Sequence, residues 1–261
     1  SLVSVNSIDL ANTGAGGPSN IAGVFSLPSL ITLTGSLEIY GFGFGTAMTG
    51  FSLPLLVNCD GSIFVATHNN LTSISLPLLE TVTGSLNLGQ NNGILSISLP
   101  SFVSCDHLII DSCSLLTSIS IPSLETAIAS IEVSNCPSLL AFSAPSLIYC
   151  PSIATLSCTS LTSIQAACSG GLIPFILNCT SSTSLDSLDF GGAVAQDGCE
   201  IYLDDCNLSE ASVDLILQAG IDGGTTVSIY ELAGGSSQPP SAAGILNRDA
   251  LQLAGNTVNT N

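Results

Sequence analysis

The sequence predicts a mainly β protein: a solenoid of stacked coils with one long parallel sheet, closed by a small α/β segment. Three observations carry this. First, a proline recurs inside one phrase, as in Leu27-Pro28-Ser29-Leu30, Leu76-Pro77-Leu78-Leu79 and Ile121-Pro122-Ser123-Leu124. From Pro28 through Pro54, Pro77, Pro100 and Pro122 to Pro145 the steps are 26, 23, 23, 22 and 23 residues. Second, a short phrase in each unit alternates apolar and polar residues with the period of a strand, as in Ser85-Leu86-Asn87-Leu88. Third, polar or sulfur residues recur at a fixed place before a second apolar phrase. A unit of this length cannot bury its own apolar side, so neighbours must stack to form a continuous core.

The prolines act as a ruler. The first inward strand residue follows nine residues later in Pro28 to Leu37, Pro54 to Ile63, Pro77 to Leu86 and Pro122 to Ile131, and eight later in Pro100 to Leu108. Applied after Pro145, the nine-residue ruler turns Ala154 and Leu156 inward instead of Ile153. Extended along the chain it yields ten coils of 22–26 residues, with strands near Ile8, Leu37, Ile63, Leu86, Leu108, Ile131, Ala154, Phe175, Ile201 and Val227. At roughly 4.7–4.9 Å per strand they make a rod about 45 Å long. Proline lacks an N–H and disfavours helix, so the return side is expected to be extended or turn-like.

Counting six residues back from Ile74, Ile97, Ile119, Phe142, Ile164 and Leu185 gives His68, Asn91, Cys113, Cys136, Cys158 and Cys179, with Cys206 as a continuation. This matches the Asn/Cys position of the repeat L-x-x-L-x-L-x-x-N/C-x-L. On these residues the chain resembles the leucine-rich-repeat superfamily over roughly residues 1–206. Its proline-bearing returns look like the receptor L-domain and surface-protein variant. The resemblance implies a structural ladder of buried small groups where the chain leaves each strand.

Of the 261 residues 46% are hydrophobic and only 8% charged, against about 25% charged in ordinary domains. Arg248 is the single Lys/Arg residue, and the formal net charge is −18. This excludes the basic footprint of a nucleic-acid binder and the polybasic segment of an anionic-membrane binder. No apolar run approaches the ~18 residues of a membrane span, so no membrane insertion is expected. Ser1-Leu2-Val3-Ser4 lacks the basic region of an intact signal peptide. The ten cysteines are expected to be mostly buried free thiols. Ladder neighbours lie within bridging distance but stack in parallel, and pairs such as Cys59 and Cys105 skip a coil.

After Cys206 the phrase stops, and residues 207–261 read as a helix–strand–helix cap that shields the last coil. Asn207-Leu208-Ser209-Glu210 supplies a helix N-cap, Val213, Ile216 and Leu217 an apolar face, and Gly220 a stop. Thr225–Ile229 alternates like a strand, a second helix runs from about Ala242 to Ala254, and Thr257–Asn261 forms a short tail. The phrases Leu208-Ser209-x-x-Ser212-Val213-Asp214, Pro240-Ser241-Ala242-Ala243-Gly244 and Gly255-x-Thr257-Val258-x-Thr260-Asn261 resemble the closing module of phage tail-fibre and virion proteins, with Asn256 where that pattern carries a tryptophan.

Catalytic chemistry is sparse. His68 and His107 fall in different columns and join no Ser-His-Asp arrangement. Gly41-Phe42-Gly43-Phe44-Gly45 lacks the lysine and helix of a phosphate loop, and Phe42, Phe44 and Met48 are candidate apolar anchors. No enzyme activity, cofactor or metal is expected. The chain reads as a non-enzymatic binding or structural protein, virion or tail-fibre-like, extracellular or on a virion surface. Its partner is a protein or glycan receptor, or other virion or surface proteins. The expected contact residues are the outward strand positions Glu38, Phe64, Asn87, Ile109, Glu132 and Thr155. The alternative is a secreted or cell-surface bacterial adhesin. A minor alternative is an ice- or mineral-binding protein, suggested by Thr32-Leu33-Thr34, Thr81-Val82-Thr83 and Ser73, Ser96 and Ser118.

Overall fold

The structure, a computed structural model, describes residues 4–10, 22–40, 48–166, 175–189 and 195–261. The Gly41–Gly45 segment with Phe42 and Phe44, and Cys168, lie outside the described residues. The described residues form a parallel β-solenoid of about seven turns with two helices, both near the C-terminal end. Among the described residues no helix precedes Glu210.

The main face is a 15-stranded parallel sheet. Along it Leu37 pairs with Ile63, Ile63 with Leu86, Leu86 with Leu108 and Leu108 with Ile131. These side chains make the first inward column, and Ile39, Val65, Leu88, Ile110 and Val133, two residues further on, make the second; all are fully buried. Each such Leu, Ile or Val withdrawn from water contributes roughly 1.5–3 kcal/mol.

The return side is more regular than expected. The second phrases pair into a 5-stranded sheet and a 3-stranded sheet instead of leaving isolated turns. Ile97, Ile119, Phe142, Ile164 and Leu188 point inward along it, while Ser96, Ser98, Ser118 and Ser120 are exposed. The reason is the Ser-Ile-Ser alternation itself, which is a half-buried strand pattern. Met48 starts one of these strands and is buried in the core, so it is no exposed anchor.

The nine-residue ruler fails after Pro145. Ile131 pairs with Ile153, Glu132 with Ala154 and Val133 with Thr155. Ile153 and Thr155 are therefore the inward pair, and Thr155 is fully buried, not outward. The cause is a coil one residue short: Ile153 follows Pro145 by eight residues, as Leu108 follows Pro100, so the strand starts one position sooner. The Pro122 coil keeps nine, and its longer path shows as a register shift between Cys105 and His107 opposite Ala127 and Ser130.

A second correction concerns the ladder. In the next coil Leu188, not Leu185, pairs with Ile164. Six residues before Leu188 stands Ser182, which takes the ladder slot. Cys179 instead follows Leu177 by two and lies in the second inward strand column, below Thr155. Likewise the strand after Ile201 is Ile229–Glu231 with Tyr230 inward, and Val227 is exposed.

The C-terminal segment is stitched into the solenoid. Ile229–Glu231 pairs with Glu200–Tyr202, and Thr257–Asn259, read from sequence as a tail, adds a further parallel strand beyond it. Helix α1 (Glu210–Gly223) and helix α2 (Ala242–Leu253) pack against each other as the return segments of these strands. Ser209 is the N-cap of α1 and accepts a hydrogen bond from the Ser212 N–H. The helix passes through Gly220 and ends at Gly224, which adopts the left-handed conformation with φ 63°. Gly220 is needed for proximity: a Cβ there would lie 2.5 Å from the Tyr230 hydroxyl. Asn256 is buried between the last elements; its Nδ2 donates to the carbonyls of Thr225 and Leu251, and its Oδ1 accepts from the Ser228 N–H.

Candidate recognition face

The outward residues of the main sheet form one continuous column. Asp9 pairs with Glu38, Glu38 with Phe64, Phe64 with Asn87, Asn87 with Ile109 and Ile109 with Glu132. Five of the six sequence-derived contact residues thus share one line on one face. Thr155 does not, and Ala154 occupies its place. Asn178, Tyr202, Glu231 and Asn259 continue the column toward the C-terminal end.

A second outward column, two residues further along each strand, is where sequence reasoning missed candidate residues. Tyr40 pairs with Ala66, and Asp111 with Ser134; Gly89 lies between them, against Asp111. The signal was present in the strand period, because the residue two after Glu38 must face the same way. Ala66 and Gly89, both small and buried, put no large side chain between Tyr40 and Asp111. The result is a shallow cavity of about 300 Å³ lined by Tyr40, Ala66, Asn87, Gly89, Ile109 and Asp111. Thr67 and Gln90 close one side. Tyr40 stacks on Phe64 with ring centroids 6.1 Å apart, so this end of the cavity has an aromatic wall.

The polar groups here are held in place. Asn87 Oδ1 accepts from the Gly89 N–H at 2.9 Å. Asp111 Oδ1 accepts from Ser134 Oγ at 2.7 Å and Asn135 Nδ2 at 2.9 Å, and Oδ2 from Ser112 Oγ at 2.8 Å. Burial alone would raise the Asp111 pKa, but these hydrogen bonds outweigh it and hold the carboxyl below its usual value. For Tyr40, burial and then the carboxylates of Glu38 and Asp9 push the phenol upward, so it stays neutral.

The ladder beneath this face explains its regularity. Thr67, Gln90, Ser112, Asn135, Ser157, Ser181 and Asp205 have positive φ values between 52° and 68°, a region L residues rarely occupy. Each immediately precedes a buried residue: His68, Asn91, Cys113, Cys136, Cys158, Ser182 or Cys206. That reversal swings the following side chain inward, onto a carbonyl of the previous coil. His68 Nε2 lies 3.3 Å from the Ile39 carbonyl and Asn91 Nδ2 donates to Val65 O at 2.7 Å. Cys113, Cys136 and Cys158 bond Leu88, Ile110 and Val133 at 3.6, 3.8 and 3.6 Å. Ser182 Oγ donates to Thr155 O at 2.6 Å and Cys206 Sγ to Cys179 O at 3.4 Å.

Neither histidine is set up for acid–base work. Burial lowers the His68 pKa, so the ring is neutral, and its contact with a carbonyl places the proton on Nε2. His107 Nδ1 lies 2.9 Å from Ser130 Oγ, but that hydroxyl donates to Glu132 Oε1 at 3.0 Å. The imidazole therefore donates to the serine and does not take its proton, the reverse of an activated nucleophile. The nine described cysteines are all buried and free. Burial raises the pKa of Cys105 to about 12 and of Cys150 to about 11, so both are protonated and unreactive at neutral pH. Among the described residues no group of His, Cys, Asp and Glu is arranged to hold a metal ion, and no helix is long and apolar enough to cross a membrane. No protein-family model matches the chain, and comparison with the curated proteins and with the solved structures finds no match.

Proposed function

We propose that the chain is a leucine-rich-repeat-type solenoid, ten coils long by its proline ruler, that acts as a non-enzymatic recognition protein through its main sheet face. The observation that carries this reading is the continuous outward column from Glu38 to Glu132 with a cavity beside it. Carboxylate, aromatic, amide and aliphatic groups alternate there at strand spacing, on an extended surface of the kind solenoids use to bind partners. The resemblance of the C-terminal phrases to the closing module of tail-fibre and virion proteins supports a tail-fibre-like component that meets a host receptor. A cell-surface adhesin would use the same face, and the two differ in whether the protein co-purifies with phage particles or with cell envelopes. With one cation in the chain, the partner is not an anionic polymer.

The test is binding of the labelled protein to candidate host cells, comparing Ile109→Ala and Glu132→Ala with Ser120→Ala on the opposite sheet. A contact at the centre of the interface weakens binding by more than about 1 kcal/mol when truncated. Loss of binding from Ser120→Ala alone would put recognition on the other side of the solenoid.

A further inference from the structure

We infer that the cavity between Tyr40 and Asp111 is a binding site for one neutral saccharide unit. This inference rests on the recognition-face reading and gives its ligand a chemical class.

The shape comes first. From Tyr40 through Ala66 and Gly89 to Asp111 are three strand steps, about 14 Å. The two middle positions carry a methyl group and a hydrogen, so the floor is backbone and the ends are side chains. The volume of about 300 Å³ is at the small end for ligand sites. It suits a single pyranose ring with its hydroxyl groups, and is too short to seat a folded protein element.

The chemistry narrows the class. Tyr40, held by its stack on Phe64, lines one end of the cavity and supplies an aromatic group for the C–H face of a sugar ring. Asn87 uses its oxygen to accept from the Gly89 N–H, which leaves the amide NH₂ as a donor. Asp111 is an acceptor locked by Ser112, Ser134 and Asn135. Gln90 also lines the cavity. A donor and an acceptor on one side of an aromatic wall match adjacent sugar hydroxyls, which both give and take hydrogen bonds. Charge decides against acidic sugars: the site holds a carboxylate, the chain has no lysine, and its one arginine is Arg248 in α2. Three donors occupy most of the roughly four acceptor positions of the Asp111 carboxylate, which leaves one for a ligand hydroxyl.

The experiment uses the full chain and saturation-transfer NMR with the methyl glycosides of glucose, galactose, mannose and N-acetylglucosamine. The methyl glycoside of N-acetylneuraminic acid and a lysine-rich peptide serve as the anionic and cationic contrasts. At least one neutral glycoside is expected to bind. Tyr40→Ala and the cavity-filling Ala66→Leu are expected to weaken it roughly tenfold or more, with Ser120→Ala, on the opposite sheet, unchanged. Thermal melts establish that each variant is folded, and Asp111→Asn serves as a second test of the polar end if either variant melts early. The inference is overturned if none of the four neutral glycosides binds. Binding that these variants leave intact, or preferential binding of the acidic sugar or the peptide, overturns it equally. If cells are bound through Ile109 while the glycosides neither bind nor compete, this inference fails and the recognition-face reading stands.

Discussion

The ladder divides into amide and imidazole rungs near one end and mainly thiol rungs after them. Asn91 and Cys113 occupy the same slot in neighbouring coils, each after a residue with positive φ. Asn91 makes three buried hydrogen bonds: to the carbonyls of Val65 and Leu88, and from the His68 N–H. Cys113 holds carbonyls at 3.6 Å through a weak S–H donor. What the slot requires is a small inward group that can reach a carbonyl. How strongly it holds that carbonyl varies between the two regions, and the backbone tolerates both.

The largest effect that could break this comparison is at Asn91. Asn91→Leu removes all three bonds and leaves two buried carbonyls and the His68 N–H without this partner, which is expected to lower stability by about 3–5 kcal/mol. Urea unfolding with an unchanged m-value measures it. A loss no greater than that of Cys113→Ala would mean that the rungs are equivalent and the hydrogen bonds incidental.

Next comes pH. His68 is held neutral in the folded chain with its pKa below the ordinary value of about 6.5, so the unfolded chain binds the extra proton first as pH falls. Stability is therefore expected to be intact above that value and to decline below it, by at most about 1.4 kcal/mol per pH unit, until the folded pKa is reached. His68→Asn removes this slope. Asp111, with its pKa depressed, contributes stability that is present above the ordinary carboxylate pKa and lost as pH falls further, through its folded value. A flat stability profile across the histidine range would contradict a buried neutral His68.

Smaller effects sharpen the thiol half. Thr155 is buried in the apolar strand column, and its Oγ1 has no hydrogen-bond partner of ordinary geometry. Thr155→Val is expected to stabilise the chain by about 1 kcal/mol. A loss of stability would show that the hydroxyl is bonded, with the adjacent Cys179 thiol as the candidate. Cys136→Ser imitates Ser182 and is expected to change stability by less than about 1 kcal/mol, as a better donor offsets a more polar atom. The described cysteines are expected to react with a thiol reagent only after unfolding, and rapid labelling of native protein would show that the column is open.

Much of the strand register was legible because a proline, an alternating phrase and a ladder residue recurred together. The six-residue count located His68, Asn91, Cys113, Cys136 and Cys158, and the ruler placed Glu38, Phe64, Asn87, Ile109 and Glu132 on one face. It failed after Pro145, where the first inward residue, Ile153, follows after eight residues instead of nine, because a strand changes faces with each single-residue shift. That shift turns Thr155 inward; Cys179 leaves the ladder for a separate reason, because Leu188 and not Leu185 pairs with Ile164. The cavity was illegible for a different reason: Ala66 and Gly89 are inconspicuous alone and become a site only beside Tyr40 and Asp111.

The sequence by itself determined the repeat length, the parallel stacking and the inward columns, because these follow from period and from the need to bury apolar side chains. Tertiary structure alone decided which residues meet across coils. Phe64 meets Tyr40, Asn135 and Ser134 meet Asp111, and Tyr230 meets Gly220 through contacts 20 or more positions apart in most cases. No local pattern encodes such meetings. They depend on the register between neighbouring coils, and one inserted residue is enough to change it.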